Sequence, residues 1–423
     1  MNMKNFRKDQ WLMLLVTMFC YLFFYTGRHN FGWAAKDMAA ELGISYTMIG
    51  WISFSMLIGY AIGQLVNGNL ADHFGARRMV PLGAFLSISA NIGISYATDV
   101  TVVLILWTLN GYFQSMAWAP GSRLISNWWR PEERGKAFGF YTMAAGSSSA
   151  VTYLLSIMLL HQDQSWRYLF RLPVLLLLVA AIIFAIIARD KPSDKGYADF
   201  MEDGEDNTET SWRERYKIVL SNRKFLIASL AIGFQNMARY GLIFWAPVHF
   251  LGENWKASPN SLWVTLLMPI GMAIGAVTFG NLSDSVFKGN RPRSIAVGMS
   301  ASAIVALLIF FTHSHNIIQN SILMFCAGFF AYGVQANFWP MSPDLLGRKY
   351  TGTGIGIMNM SAYLFAAMGE PILGKIIDLT KDTSFVFLAI SIISLICAFV
   401  ISFVGYKKEI LNETIPLHKT NEE

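Results

Sequence analysis

Apolar residues along the chain collect into twelve runs of about 20, the length that carries a helix across the hydrocarbon core of a bilayer. Six runs (11–36, 47–69, 79–97, 101–126, 138–160 and 166–188) precede a polar stretch. Six more (224–250, 259–282, 294–312, 318–342, 352–376 and 383–405) follow it. The pattern predicts an all-α membrane protein of twelve transmembrane helices in two six-helix bundles. The first bundle spans 1–188 and the second 223–406; a cytoplasmic linker covers 189–222 and a cytoplasmic tail 407–423. Within the linker, residues 199–209 are rich in Asp and Glu, the composition of a solvated tether.

Composition agrees with that class. Of the 423 residues 54% are hydrophobic and only 14% charged, where soluble domains carry about 25%. A net charge of +6 would fit a nucleic-acid binder, but the basic residues are scattered over short loops. A positive-inside bias accounts for them. Six of the 33 Lys and Arg (Lys36, Arg167, Arg171, Lys256, Lys375 and Lys381) fall on one side and three within spans; the rest share the side of the termini, which is therefore expected to be cytoplasmic. The basic start precedes an apolar run as a secretory signal would, yet no small-x-small cleavage site follows, so it reads as a retained first span. Cys20, Cys326 and Cys397 all sit in apolar segments without metal or disulfide spacing.

The two halves repeat. Gly68-Asn-Leu-Ala-Asp72 closes the second run and Gly280-Asn-Leu-Ser-Asp284 the eighth, 212 residues later. Such a parallel repeat predicts two bundles related by a pseudo-two-fold axis along the membrane normal, with a site between them near the midplane.

Two charges mark that site. Arg28 and Arg239 lie in the first span of each half, 211 residues apart. An arginine at that depth costs about 2.5–3.5 kcal/mol on insertion scales, which is tolerated where function requires it. On a continuous helix Tyr21, Tyr25, Arg28 and Gly32 share one face, and Gln235 and Arg239 share another with Asn236 and Tyr240 beside it. Two guanidiniums facing a cavity without a matching acid call for an anion. Their planar forks bind phosphate or carboxylate bidentately, and a pair suits a dianion, so phosphate comes first.

The loop Gly68-Asn-Leu-Ala-Asp-His-Phe-Gly-Ala-Arg-Arg78 joins spans two and three. Its glycines allow a tight turn, Asp72 can pair with a base or cap a helix, and Arg77 and Arg78 can meet helix carboxyl ends or lipid phosphates. This loop, with its weaker copy ending at Asp284, resembles the signature of the major facilitator superfamily. More narrowly, the chain resembles the organophosphate:phosphate antiporter family. The matching stretches are Tyr25-Thr-Gly-Arg-His-Asn-Phe31, Gly111 to Arg123 with Asn127-Trp-Trp129, Arg239-Tyr-Gly-Leu-Ile-Phe-Trp-Ala-Pro247 and Arg189-Asp-Lys-Pro192. The resemblance implies that Arg28 and Arg239 hold the phosphoryl group while the two halves rock around it. It also shows departures: Gln64 stands where characterised members carry a Lys in the second span, Ala145 where the glycerol-phosphate type has a His, and His29 where a Lys often follows the first arginine. The expected cavity is less positive than is usual for the family.

The substrate-binding set read from the chain is thus Arg28, Arg239, Tyr25, Gln64, His29, Tyr240 and Glu370. Glu370, in Met368-Gly-Glu-Pro371, has four candidate roles: a salt bridge to Lys375 or a cavity arginine, proton carriage, or contact with a substrate amine. Asp72, Arg77, Arg78, Arg123 and Asp284 are read as gating or structural. No phosphate-cradling glycine loop, metal cluster or nucleophile triad occurs, so neither an ATP-driven pump nor an enzyme is expected, and no cofactor. The expected function is exchange of an organic phosphate for inorganic phosphate by a monomer in the cell membrane. Its rivals are proton-coupled uptake of a carboxylate, a non-transporting sensor of sugar phosphate, and an exporter of amino compounds.

Overall fold

A computed structural model describes residues 3–129, 131–162, 164–199, 212–250, 261–312, 316–346 and 350–405. Helices account for nearly all of them. In chain order these are α1 Met3–Phe24, α2 Asn30–Leu42, α3 Tyr46–Phe74, α4 Ala76–Tyr96, α5 Val100–Gln114, α6 Trp118–Trp128, α7 Pro131–His161, α8 Leu172–Ile187, α9 Trp212–Ser221 and α10 Arg223–Phe250. They continue with α11 Ser261–Val264, α12 Leu267–Ser285, α13 Arg291–Phe311, α14 Ile317–Gly333, α15 Gln335–Phe338, α16 Met341–Leu346, α17 Thr351–Thr380 and α18 Phe385–Ser402. Each of the twelve runs read from the sequence is covered by one helix or by a broken pair or triple.

Local chemistry sets the ends. The Asp99 carboxylate accepts from the amides of Thr101 and Val102 to start α5, and Asn316 does the same for Ile318 and Gln319 at α14. α2 stops at Gly43, whose φ of 63° is the left-handed conformation that glycine takes at little cost. Between helices the chain has little backbone to leave unpaired, as a bilayer demands. Large apolar side chains stand exposed on α8 (Leu175, Ile182, Ile186) and α18 (Ile392, Leu395, Phe399), the faces turned to lipid.

Nine helical stretches among the described residues are long and apolar enough to cross a membrane by composition alone. Helices α10 and α17 are as long but fall outside that set, because polar residues dilute them. Both α10 and α17 carry site residues, so the departure from a plain lipid-spanning composition marks where the protein works.

The bundles are α1–α8 and α10–α18, and the repeat is visible in their packing. Gly59 and Gly63 of α3 bring that helix against α5, where an added Cβ would lie 2.2 Å from the Thr108 carbonyl oxygen and 2.2 Å from Ser115 Oγ. Their counterparts 212 residues on, Gly271 and Gly275 of α12, meet the carbonyls of Phe325 and Phe329 on α14. Between the bundles, α3 packs on α17, α7 on α12 and α2 on α10. At one end this seam is closed at backbone level: a Cβ on Gly50 would meet the Glu370 carbonyl oxygen at 2.5 Å, and one on Gly374 the Tyr46 carbonyl at 2.3 Å. Asp378 of α17 adds a latch there, accepting from the Tyr46 and Thr47 amides and from the Thr47 hydroxyl. The end that carries the start of α1 is open.

The linker is less of a plain tether than its composition predicts. Lys195 and Tyr197 bind the two oxygens of Asp9 at 2.7 and 2.9 Å, which pins the first part of the linker to α1. The helix α9 occupies its last part. The acidic section beyond residue 199 and the tail beyond 405 lie outside the described residues.

Candidate functional site

The first span is not one helix. α1 ends at Phe24, residues Tyr25–Gly27 make a single tight turn, and Arg28 takes φ −129° before α2 begins. The expectation that Tyr21, Tyr25, Arg28 and Gly32 share a helical face is therefore corrected. The break rotates Arg28 away from that line, and Gly32 instead lies against the backbone of Phe244 on α10.

Breaking a helix frees carbonyls that must be satisfied, since an unpaired one in the bilayer costs several kcal/mol. Three amide side chains that the sequence reading did not single out do this. Asn91 and Asn110 donate to the Gly27 oxygen at 3.2 and 2.8 Å, and Gln114 donates to the Phe24 oxygen at 2.9 Å. Asn30 closes the set by donating to Asn91 and to the Leu169 oxygen, both at 3.0 Å. Buried amides at intramembrane positions of α4 and α5 were the available signal.

The break delivers Arg28 to the seam. Its guanidinium is 5% exposed and sits among the rings of Tyr25, Tyr60, Tyr240 and Tyr363, 4.5–5.5 Å from their centroids. One nitrogen, Nη2, donates to the Tyr240 hydroxyl at 2.8 Å across the bundle interface. Arg239, 8% exposed, is held inside its own bundle. Its Nη1 donates to Asn236 at 3.3 Å and to Gln335 at 3.2 Å, and its guanidinium lies 4.4 Å from the Tyr332 ring. The two arginines share one tyrosine: the Tyr240 ring centroid lies 5.5 Å from Arg28 Cζ and 5.1 Å from Arg239 Cζ. The Nε of each arginine is buried and unpartnered, leaving a donor available to an oxyanion.

Each arginine lines a cavity of its own. The larger, about 470 Å³, opens toward the end where α1 begins; Arg239, Tyr25, Tyr60 and Tyr363 form part of its wall, and Trp118 and Trp339 part of its mouth. The smaller, about 30 Å³, lies on the closed side and is lined in part by Arg28, His29, Ser53, Tyr240 and Glu370. His29 is fixed there by a 2.8 Å hydrogen bond between its Nδ1 and Ser149 Oγ. Glu370 is 1% exposed, and the described ion pairs do not include it, so the salt bridge to Lys375 or to a cavity arginine is absent. Lys375 projects elsewhere along a helix already committed to the seam.

The other candidates are placed as follows. Gln64 is half-buried on α3, its Nε2 without a partner, and lines neither cavity. Arg77 and Arg78 are exposed at the start of α4, where the Arg77 amide donates to the Asp190 carboxylate at 3.1 Å. Arg123 is half-buried on α6, next to Ser122 of the large cavity. The side chains of Asp72 and Asp284 lie outside the described residues. Tyr153 is not a cavity residue; its hydroxyl donates to the Ile243 oxygen at 2.6 Å and ties α7 to α10. Gln335 and Tyr332 hold Arg239. They sit just at the break between α14 and α15, another discontinuity that periodicity hides.

Comparison with known proteins agrees with this architecture. The sequence pattern described as Major Facilitator Superfamily matches residues 17–370 and, in a second alignment, 232–417. The chain is 24% identical to the glycerol-3-phosphate transporter of Bacillus subtilis (strain 168), over 85% of this chain and 84% of that one. It is 25% identical to the probable hexose phosphate transport protein of Chlamydia pneumoniae, over 85% and 83%. With the hexose-6-phosphate:phosphate antiporter of Escherichia coli (strain K12) the identity is 25% over 94% and 91%. Among solved structures, a bacterial homologue of the human lysosomal transporter Spinster, inward-facing and unoccupied, superposes with a TM-score of 0.80 over 94% of this chain and 97% of that one, at 14% identity.

Proposed function

The chain belongs to the major facilitator superfamily, a multi-pass membrane fold, and from that premise we propose that it exchanges an organic phosphate for inorganic phosphate by alternating access. The observation that carries this reading is the arginine pair: one guanidinium from each bundle, both buried, each with an unpartnered Nε, and neither joined to an acid among the described ion pairs. Buried cations without counter-ions are costly, and a dianion bridging them removes the cost while joining the two halves. The names of the relatives, a glycerol-3-phosphate transporter and a hexose-6-phosphate:phosphate antiporter among them, support the same substrate class.

The conformation fits one end of such a cycle. With the termini cytoplasmic, the 470 Å³ cavity faces the cytoplasm and the seam through Gly50, Gly374 and Asp378 is the outer gate, closed. A phosphoryl group entering from the cytoplasm meets Arg239 first, then Arg28 behind the tyrosine rings. Bound to both, it stabilises a state with the halves drawn together, from which the outer seam can part. The segments near the mouth, α6 and α15–α16, are short helices set off by breaks and supply the joints for inner closure. Arg77, Arg78, Asp72 and Asp284 lie at the loops that would latch that closure. The protein would act as a monomer in the cell membrane, without a cofactor and without enzymatic chemistry.

Uptake of labelled phosphate into liposomes that hold the purified protein and internal phosphate tests the proposal. Exchange that is lost in Arg28→Lys and weakened in Arg239→Lys is the expected result; exchange left intact in both overturns the proposal. Uptake driven only by a pH gradient would replace it with proton-coupled transport, and binding without flux would replace it with a sensor.

A further inference from the structure

Among the described residues, Glu370 is the acidic group of the site that phosphate exchange does not use. It stands on α17 at the level where that helix touches Gly50 of α3, and its side chain turns into the smaller cavity. Its Oε2 is buried and has no hydrogen-bond partner. The indole N–H of Trp245 lies nearby, out of hydrogen-bonding geometry, and is itself unpartnered. Arg28 lines the same cavity but is not ion-paired with it, its Nη2 being engaged by Tyr240 instead.

We propose that Glu370 forms an ammonium subsite, so that the preferred organic phosphate of this carrier bears a short amino-substituted chain. The inference rests on the phosphate reading above and names the substrate class within it. A cavity of about 30 Å³ holds one or two water-sized groups, since one water needs roughly 10–15 Å³ of such volume. That matches a terminal ammonium and is too small for a sugar ring. Three aromatic rings stand in its wall beside Met56, Leu57 and Ile243: Phe31 lies 4.9 Å from Trp107 and 5.4 Å from Phe244, ring centre to ring centre. Aromatic faces around a carboxylate are favourable surroundings for an alkylammonium and poor ones for a second anion. A phosphoryl group held at Arg28 stands at the partition between the two cavities. Its substituent then has the small cavity within reach, where it would meet an unpaired carboxylate. A zwitterionic ligand would thereby neutralise in one step the two uncompensated arginines and the uncompensated acid.

The other groups facing Glu370 do not compete for this role. His29 on the turn before α2 is committed through Nδ1 to Ser149, and Ser53 of α3 and Tyr240 of α10 are neutral. Among the described residues the cavity wall holds no lysine.

Calorimetric binding of 2-aminoethyl phosphate and ethyl phosphate to the purified full chain decides the matter, because the two probes differ only at the ammonium. Wild type is expected to bind the amine at least tenfold more tightly, and Glu370→Gln to bring the two affinities together. Equal affinities in wild type overturn the inference, and so does a preference that survives in Glu370→Gln. Should Glu370→Gln fold poorly, Glu370→Asp serves, with the preference expected to shrink, and the wild-type ratio alone remains decisive. A variant that shifts only the pH dependence of exchange, with the ligand ratio intact, would make Glu370 a proton carrier and reject the subsite. Because binding is read without flux, an amine preference in a protein that fails to exchange phosphate would sink the transport reading while leaving the subsite standing.

Discussion

Arg28 and Arg239 occupy matching positions in a repeated chain, yet their surroundings differ. Arg239 sits on an unbroken helix and is anchored within its own bundle by Asn236 and Gln335, at the wall of the open cavity. Arg28 sits at a break, ringed by tyrosines from both bundles, and its hydrogen bond to Tyr240 crosses the seam on the closed side. In the exchange cycle proposed above, Arg239 would be the fixed receptor and Arg28 would belong to the moving joint. Duplication supplied two equivalent charges; the distinct roles come from what surrounds them.

That contrast can be broken most sharply at Arg28. Arg28→Lys keeps the charge but loses the planar fork fitted among four rings, and exchange of labelled phosphate is expected to fall by at least about 100-fold, the scale of a buried charge-assisted contact. Arg239→Lys is expected to cost about tenfold to thirtyfold, mainly in KM, because a flexible ammonium at the wall of the wider cavity still attracts phosphate. Equal losses in the two variants would erase the distinction drawn here. Tyr240→Phe removes only the hydroxyl that holds Arg28 and should raise KM about tenfold, in keeping with one hydrogen bond to a charged group at roughly 1.5 kcal/mol. In a fixed-receptor role for Arg28 this change would be silent.

The smallest effect concerns the closed side itself. Asp378 lies past the 352–376 span at the closed end of α17, the outer end if the termini are cytoplasmic. Burial raises its carboxyl, but the hydrogen bonds from Thr47 and Tyr46 outweigh this and hold it below the usual carboxylate range. A depressed carboxylate favours the latched state above its unlatched value, and that contribution is lost as pH falls through the latched one. Acidifying the outside should therefore open the outer gate slightly. Labelling of Ser53→Cys by a membrane-impermeant reagent is expected to rise about twofold at low pH, the scale of a partly exposed ionic contact, and Asp378→Asn should remove the dependence. Unchanged labelling would detach the latch from the gate.

Most of the architecture was legible in the chain. Twelve apolar runs, a polar middle, a 212-residue offset and two deep arginines gave the bundles and the axis of the site, because the bilayer enforces length and apolarity so strictly. Tyr25 and Tyr240 were placed correctly beside the arginines. What could not be read is where helices stop being helices. No proline marks the turn at Tyr25–Gly27; it persists because Asn91, Asn110 and Gln114, distant in sequence, take up its carbonyls. Once that turn exists, helical phase no longer predicts which way Arg28 points. Gln64 illustrates the same limit from the other side: it is on a regular helix, but which side of α3 meets the cavity depends on its packing against α5 and α17.

The outer gate has one more consequence, for the energetics of the membrane around it. At Gly50 and Gly374 the barrier is main chain against main chain, with no space for even one water. Protons cross membranes along connected water or side-chain relays, and such a contact interrupts both. In the exchange cycle proposed above, a seam closed in this way would help keep a resting carrier from short-circuiting the ion gradients of its host, so that many copies could be present at little standing cost in membrane potential.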